Sequence, residues 1–325
     1  MSFKSSKPSF QLSKDPKRNK QYDIILGSIL NHSVTVADIA KFGSTMMHKE
    51  KLHPHFFGTH SLKINALYLT FFSLQLPYEY TNPKYLHKKI TEVEGIEILK
   101  LFERRISERI PVEYITEEAY YLGNKFYVNE HVLIPRSLMN TRFTDFLKAV
   151  PWENFRVLDL CTGSGCIGIT LALLHPKIQV DLSDISKDAL NVAAINVKQH
   201  GLTERVNCIH SNLFENIHDK YDLIITNPPY VTEREYQAQP AEVKNEPSRA
   251  LKAGKRWLGP YSSNTHPSQT IFKSKWTVNC RNWVYGIQTV KKYLFKHSLY
   301  LVQISIPFWE GITFRYSDWV DRLSR

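Results

Sequence analysis

Two hydrophobic rhythms divide the chain. Over residues 22–109 apolar positions recur every three or four residues, the period of a half-buried helix. Helices are predicted over residues 34–42, over 62–76 (ended by Pro77) and over 91–109. In the last of these Ile96, Leu99, Phe102 and Ile106 share a face, with charges between them, and Pro111 closes the segment. Residues 111–136 then carry aromatic-rich runs around Gly123-Asn124, which predicts a β-hairpin with its turn at those two residues. Over residues 155–230 short apolar runs alternate with helical patterns. Strands are predicted at 157–160, 180–183, 206–209 and 223–226, and helices at 167–174 and 189–200. Such alternation predicts an α/β domain built on a doubly wound parallel sheet, which binds ligands at the carboxyl ends of its strands.

The expected division is therefore a disordered basic lead-in over 1–20, a helical domain over 21–110 and a hairpin linker over 111–140. A sheet domain follows over 141–255, and a tail over 256–325. The chain has 325 residues, 42% apolar and 12% aromatic, enough for a core in each of two domains. No apolar run has the length of a membrane span, and the N-terminus lacks the apolar segment of a signal peptide. The four cysteines, Cys161, Cys166, Cys208 and Cys280, show no Cys-x-x-Cys pairing, so a cytoplasmic setting is expected. Cys161 and Cys166 are expected to be small packing residues, and His53, His55 and His60 loop or surface histidines rather than metal ligands. The net charge of +11 points towards nucleic acid only until its distribution is considered. Residues 256–325 hold ten Lys/Arg against three Asp/Glu, a net +7 of that total, so the first 255 residues carry +4.

Candidate chemistry sits at two strand ends. Asn227-Pro228-Pro229-Tyr230 follows the apolar run at 223–226, and consecutive prolines end a strand because neither donates to the ladder. The rigid turn presents the Asn227 amide and the Pro228 carbonyl as acceptors for an –NH₂ group, with the flat face of Tyr230 beside them. A planar nitrogen, either a carboxamide or a nucleobase amine, fits this holder. Upstream, Asp159-Leu160-Cys161-Thr162-Gly163-Ser164-Gly165 joins a strand to a helix through a glycine turn that lets a ligand approach the backbone. The next strand ends in Asp184, about twenty residues on, where an acid suits a ribose diol. A glycine turn alone also serves as a tight strand-to-helix connection. The loop, Asp184 and the double-proline turn, in that order, are far more specific.

Together these segments resemble a class I S-adenosylmethionine-dependent methyltransferase acting on nitrogen, a Rossmann-like domain. Within that class the chain is similar to the protein-(glutamine-N5) methyltransferases, and to the branch acting on large-subunit ribosomal protein L-three. The runs that carry the likeness are Arg109-Ile110-Pro111-Val112-Glu113-Tyr114-Ile115-Thr116 and Phe126-Tyr127-Val128-Asn129-Glu130-His131-Val132-Leu133-Ile134-Pro135-Arg136-Ser137. The release-factor branch has Pro-Glu-Thr after the Pro-Arg, where this chain has Ser137-Leu138-Met139. The resemblance covers roughly residues 30–255. It implies S-adenosyl-L-methionine as cofactor, held by Asp159, Thr162, Gly163, Gly165, Asp184, Asn212 and Asn227. It implies a substrate glutamine amide held by Asn227, Pro228, Pro229 and Tyr230. The family usually has an acid where Asn212 stands, and an amide also hydrogen-bonds an adenine amine. The helical domain is then the substrate-recognition domain, and neither membrane nor nucleic acid is required as a partner. The alternatives are a DNA or RNA base-amino methyltransferase, since the double-proline turn also suits a flipped-out adenine, and an inactive remnant of the glutamine enzyme.

The likeness stops near Lys255. The family continues Gly-x-Asp-Gly-Leu, then a helix and three strands, whereas here Gly254-Lys255 leads into Arg256-Trp257-Leu258-Gly259-Pro260. Five of the six tryptophans lie beyond this point. Back-translated and read one nucleotide later, residues 256–266 and 273–283 give runs like the helix and fifth strand that the family would have there. A frameshift near codon 255 is therefore expected. It would leave the strand at 223–226 as an exposed edge, and the product poorly stable with weak or no activity.

Overall fold

The computed structural model describes residues 11–54, 62–77, 82–135, 154–229, 231–252 and 300–303. Its N-terminal half is a helical bundle of α1 (Pro16–Leu30), α2 (Val36–Lys49), α3 (Leu62–Ser73), α4 (Pro83–Leu86) and α5 (Glu92–Ser107). Capping boxes set two of the starts. Thr35 and Asp38 exchange side chain-to-backbone bonds ahead of α2, and Thr91 and Glu94 do the same ahead of α5. The core gathers Tyr22, Ile39, Met47, Leu69, Phe71, Ile98, Leu99 and Phe102, all at most 1% exposed. The helix expected over 34–42 runs on to Lys49, because Met46 and Met47 continue its buried stripe.

The lead-in expected over 1–20 meets α1 already at Pro16, capped by the Asp15 side chain. Glu103 of α5 explains the difference. It accepts from Ser13 Oγ at 2.6 Å, Tyr22 Oη at 2.8 Å and Arg18 Nε at 3.0 Å. These bonds tie a polar stretch to the bundle core, and its composition gives no sign of them. Residues 1–10, His55 and His60 lie outside the described residues.

After α6 (Val112–Thr116) comes the hairpin of β1 (Glu118–Tyr121) and β2 (Asn124–Tyr127). Its turn falls on Leu122-Gly123, one position before the expected Gly123-Asn124. Tyr121 pairs with Asn124, and φ is 48° at Leu122 and 80° at Gly123. Positive φ at both residues suits the tight hairpin turn. The register buries Ala119, Tyr121 and Phe126, and a one-residue slip would expose all three. Side-chain burial therefore overrides the turn preference of Asn124.

The sheet domain holds β3 (Arg156–Leu160), α7 (Cys166–Leu174), β4 (Gln179–Asp184), α8 (Lys187–Gln199), β5 (Val206–His210) and β6 (Leu223–Thr226). The short helices α9 (Glu233–Gln237), α10 (Ala241–Lys244) and α11 (Ser248–Leu251) follow, then β7 (Tyr300–Gln303). The strands are parallel in the order β5-β4-β3-β6-β7, so the winding reverses at β3 and opens a crevice at the carboxyl ends of β3 and β6. The expectation that β6 forms an edge is overturned, because it pairs along its whole length with β7. All four β6 residues are buried, and the backbone groups of such an apolar strand pair readily with any extended segment. Among the described residues no helix is long and apolar enough to cross a membrane.

Candidate active site

The cleft opens at the carboxyl ends of the parallel strands, as expected for a doubly wound sheet. It has a volume of about 630 Å³, within the range of small-molecule sites. Thr162 and Gly163 from the β3–α7 loop line one part. Asp184 at the end of β4, Asn212 after β5, and Asn227 and Pro229 after β6 line the rest. The parallel sheet brings these residues to one edge from positions up to 67 apart.

Asp159 is completely buried beneath the loop. Its Oδ2 accepts from Thr162 Oγ1 at 2.7 Å and from the Gly168 N–H at 2.9 Å, while Oδ1 has no protein partner. Burial pushes its pKa up to about 7, against the two hydrogen bonds that favour the charge. Gly163 has φ 56°, and a Cβ built on it would meet nothing within 4 Å. Its N–H donates to Asp184 Oδ2 at 2.9 Å, and Ser186 N–H donates to Oδ1 at 2.9 Å. The Asp184 pKa is raised by burial, with these N–H groups and nearby Arg249 opposing the shift. Gly165 has φ 81° and no room, since a Cβ would stand 2.9 Å from Ile169 Cδ1. Its role is to let α7 pack on the sheet.

At the end of β6, Asn227 is half-buried, and its Oδ1 is fully buried without a hydrogen-bond partner. A buried acceptor left unpaired at the mouth of a cleft marks a place for a donor from elsewhere. Thr226 Oγ1 donates to the Leu160 carbonyl at 2.7 Å and so fixes this strand end against β3. Pro228 is buried and is not part of the lining, and Tyr230 lies outside the described residues. Asn212 Nδ2 donates to Glu215 at 2.7 Å, which leaves its amide oxygen as the acceptor.

Several cleft residues are not among those singled out from the sequence. Tyr121 of the hairpin and Leu133, Ile134 and Pro135 supply part of its wall, and Arg249 and Lys252 line it too. Leu133, Ile134 and Pro135 lie in a run that carries the family likeness, which is the signal that could have marked them; Tyr121 lies outside it. Asn196 of α8 is also new. It bonds Tyr127 N–H and C=O and the Ser164 carbonyl, locking the hairpin to the glycine loop. The two thiols behave as packing groups, since burial raises both pKa values, that of Cys166 to about 12.

The methyltransferase small domain family matches residues 143–258. A ribosomal protein uL3 glutamine methyltransferase from Neisseria meningitidis serogroup B is 40% identical over 238 residues, covering 71% of this chain and 77% of the relative. The chain belongs to the ribosomal protein uL3 glutamine methyltransferase family. A relative of the same name from Bordetella pertussis is 40% identical over 195 residues, 58% of this chain and 64% of its own length. Among solved structures, a SAM-dependent methyltransferase from Thiobacillus denitrificans in complex with S-adenosyl-L-homocysteine shares 22% identity over 35% of this chain and 44% of its own, with a TM-score of 0.25. The methyltransferase match ends at residue 258, close to where the family pattern stops in the sequence.

The family's cofactor, S-adenosylmethionine, fits the cleft on three local observations. The space above Gly163 is open, the N-cap residue Gly165 gives α7 no side-chain cap of its own, and the orphaned Asn227 oxygen on the cleft lining awaits a donor.

Proposed function

We propose that this chain methylates the side-chain nitrogen of a glutamine in large-subunit ribosomal protein uL3. S-adenosylmethionine supplies an activated methyl group on a sulfonium. Asp184 holds the ribose and Asn212 the adenine amine, while Thr162, Gly163 and Gly165 shape the backbone around the methionine part. Asp159, beneath that backbone, holds the loop in shape through Thr162 and Gly168.

A carboxamide nitrogen is a poor nucleophile because its lone pair is delocalised into the carbonyl. Asn227 Oδ1 and the Pro228 carbonyl are assigned as the two acceptors for its –NH₂ hydrogens. Acceptors in those positions favour positive charge building on nitrogen and orient it for attack. Pro228 and Pro229 stiffen the turn, and Tyr230 is assigned to pack on the amide plane. The new N–C bond would form as the S–C bond of the sulfonium breaks, leaving the neutral thioether of S-adenosylhomocysteine. No general base is needed before transfer, because the N–H proton becomes acidic only as the new bond forms and then passes to solvent.

The unpartnered Asn227 oxygen at the cleft carries this reading. The same acceptor suits a nucleobase amine, and the names of the relatives favour the protein amide. Incubation of the full chain with labelled S-adenosylmethionine and purified uL3, or with duplex DNA, tests the choice. Label on a uL3 glutamine is expected, and label on DNA alone would overturn the proposal.

A further inference from the structure

One buried carboxylate dominates the contact between the helical and sheet domains. Glu242 of α10 is 1% exposed. Its Oε1 accepts the backbone N–H of His53 at 3.0 Å and Arg109 Nη1 at 3.2 Å. Arg105 Nη1, on a completely buried side chain of α5, stands 3.8 Å away. These partners come from beyond α2, from within α5 and from just after it. Arg109 also donates to the Glu50 and Lys51 carbonyls. Three residues further on, Asn245 Nδ2 donates to the carbonyls of Glu108 and Arg109 at 3.2 and 2.8 Å. Glu246, likewise 1% exposed, accepts the Ile134 N–H at 3.1 Å. Ile134 belongs to the cleft wall.

The segment over residues 242–246 thus grips the helical domain on one side and the cleft wall on the other. Val231, two residues after Pro229, packs with Val243 and Leu251, and its N–H donates to the Leu251 carbonyl. The main apolar cores of the two domains are separate clusters, one over residues 22–115 and one over 121–225. A smaller apolar cluster, from Tyr114 through Val128 and Ile134 to Ala189 and Val192, joins them on one side, and the buried polar contacts of residues 242–246 fix the helical domain from the other. Glu242 keeps its charge despite burial, because the His53 N–H and the two arginines hold its pKa below the usual value.

We infer that Glu242 is a positioning residue, which fixes the helical domain against the segment that holds the cleft wall, so that an intact protein substrate bound by that domain delivers its glutamine to Asn227. This rests on the proposed transfer to a protein amide. The test uses the full chain with Glu242→Gln, and with Arg105→Met combined with Glu242→Leu. The double variant removes both buried charges together and so avoids stranding one of them. Spin labels on one surface site of each domain report the interdomain distance. Kinetics are measured with intact uL3 and with a short peptide carrying its glutamine, and S-adenosylhomocysteine affinity by calorimetry.

The expected result is a broadened distance distribution and a KM for intact uL3 raised by about tenfold or more, with cofactor affinity and peptide kinetics unchanged. An unchanged distance and an unchanged uL3 KM in both variants would overturn the inference. A parallel loss for uL3, peptide and cofactor would also overturn it, since that describes a folding defect. If the parent chain leaves uL3 unmodified, the proposed function fails, and the distance distribution alone decides whether Glu242 fixes the orientation of the two domains.

Discussion

Replacing Asn227 with Ala should move folding and catalysis in opposite directions. Asn227 Oδ1 is buried and accepts no hydrogen bond in the free protein. An unsatisfied buried polar atom costs about 1–3 kcal/mol, and truncation removes that cost. Lost packing of the short side chain offsets part of the gain. A net stabilisation of about 1 kcal/mol is expected, which raises Tm by about 2–4 °C for an ordered unit of this size. The same truncation removes an acceptor engaged as charge develops on the substrate nitrogen. Deleting one preorganised partner of that kind lowers kcat by about 10²–10³. Asn227→Asp retains an acceptor but buries an unpaired charge, so its Tm should fall. Scanning calorimetry without ligand and transfer of labelled methyl to uL3 supply the two readings. An Ala variant that transfers methyl at the parental rate would remove Asn227 from the mechanism. One that melts well below the parent would show that the oxygen has a partner in the free protein.

Other expectations follow from the same geometry. Gly165→Ala places a Cβ 2.9 Å from Ile169 Cδ1 at φ 81°, whereas Gly163→Ala at φ 56° meets open space. Both carry the left-handed backbone cost of about 1–2 kcal/mol. Gly165→Ala should therefore melt lower, while Gly163→Ala should chiefly weaken S-adenosylhomocysteine binding by calorimetry; equal melting points would count against the packing role. Asp159, raised from 3.8 to about 7, holds a proton in the folded chain that the unfolded chain has released. Its contribution is fully present below pH 3.8 and is lost as pH rises through 7. Between those limits it lowers stability by about 1.4 kcal/mol per pH unit. Urea melts from pH 5 to 8 should show that slope in the parent and a flatter one in Asp159→Asn; identical slopes would refute the shift. For the tail, sequencing the gene across codon 255 should show an open reading frame one nucleotide later. A frame-repaired chain should melt higher and bind cofactor more tightly, and a closed shifted frame would end that reading.

The alternating strands and helices over residues 155–230 were legible because each rests on a local apolar period, and β6 keeps its predicted limits, Leu223–Thr226. The three ligand-facing strand ends were legible for a related reason. Parallel strands share one carboxyl edge, so chemistry that follows successive strands must meet there. What escaped the sequence depends on partners far away along the chain. Glu103 orders the polar stretch at residues 13–18 from 85–90 positions off, and Glu242 reaches His53 across 189. The Leu122-Gly123 turn shows burial on β1 and β2 outranking the Asn-containing turn favoured locally. For β7, residues expected to be a chance peptide supply a strand, because β6 offers its backbone to any extended partner.

That last point separates the site from the tail in energetic terms. The glycine loop is fixed by Asp159, Thr162 and Asn196, and the β6 terminus is fixed against β3 by Thr226 on Leu160. None of these bonds involves β7. What β7 adds is a parallel pairing partner for the far side of β6, from Leu223 opposite Tyr300 to Thr226 opposite Gln303. The geometry of the cleft is thus specified within residues 121–252, while the persistence of β6, and of the Asn227 acceptor at its end, depends on whatever strand lies beside it. A tail of foreign sequence can satisfy the ladder and still leave the neighbouring face poorly covered. Weaker activity of this chain than of a frame-repaired one should then be accompanied by local opening of β6, with faster amide hydrogen exchange at Leu223–Thr226 than at the central β3. Equal protection of the two strands would mean that the tail supports the site as well as a native strand does.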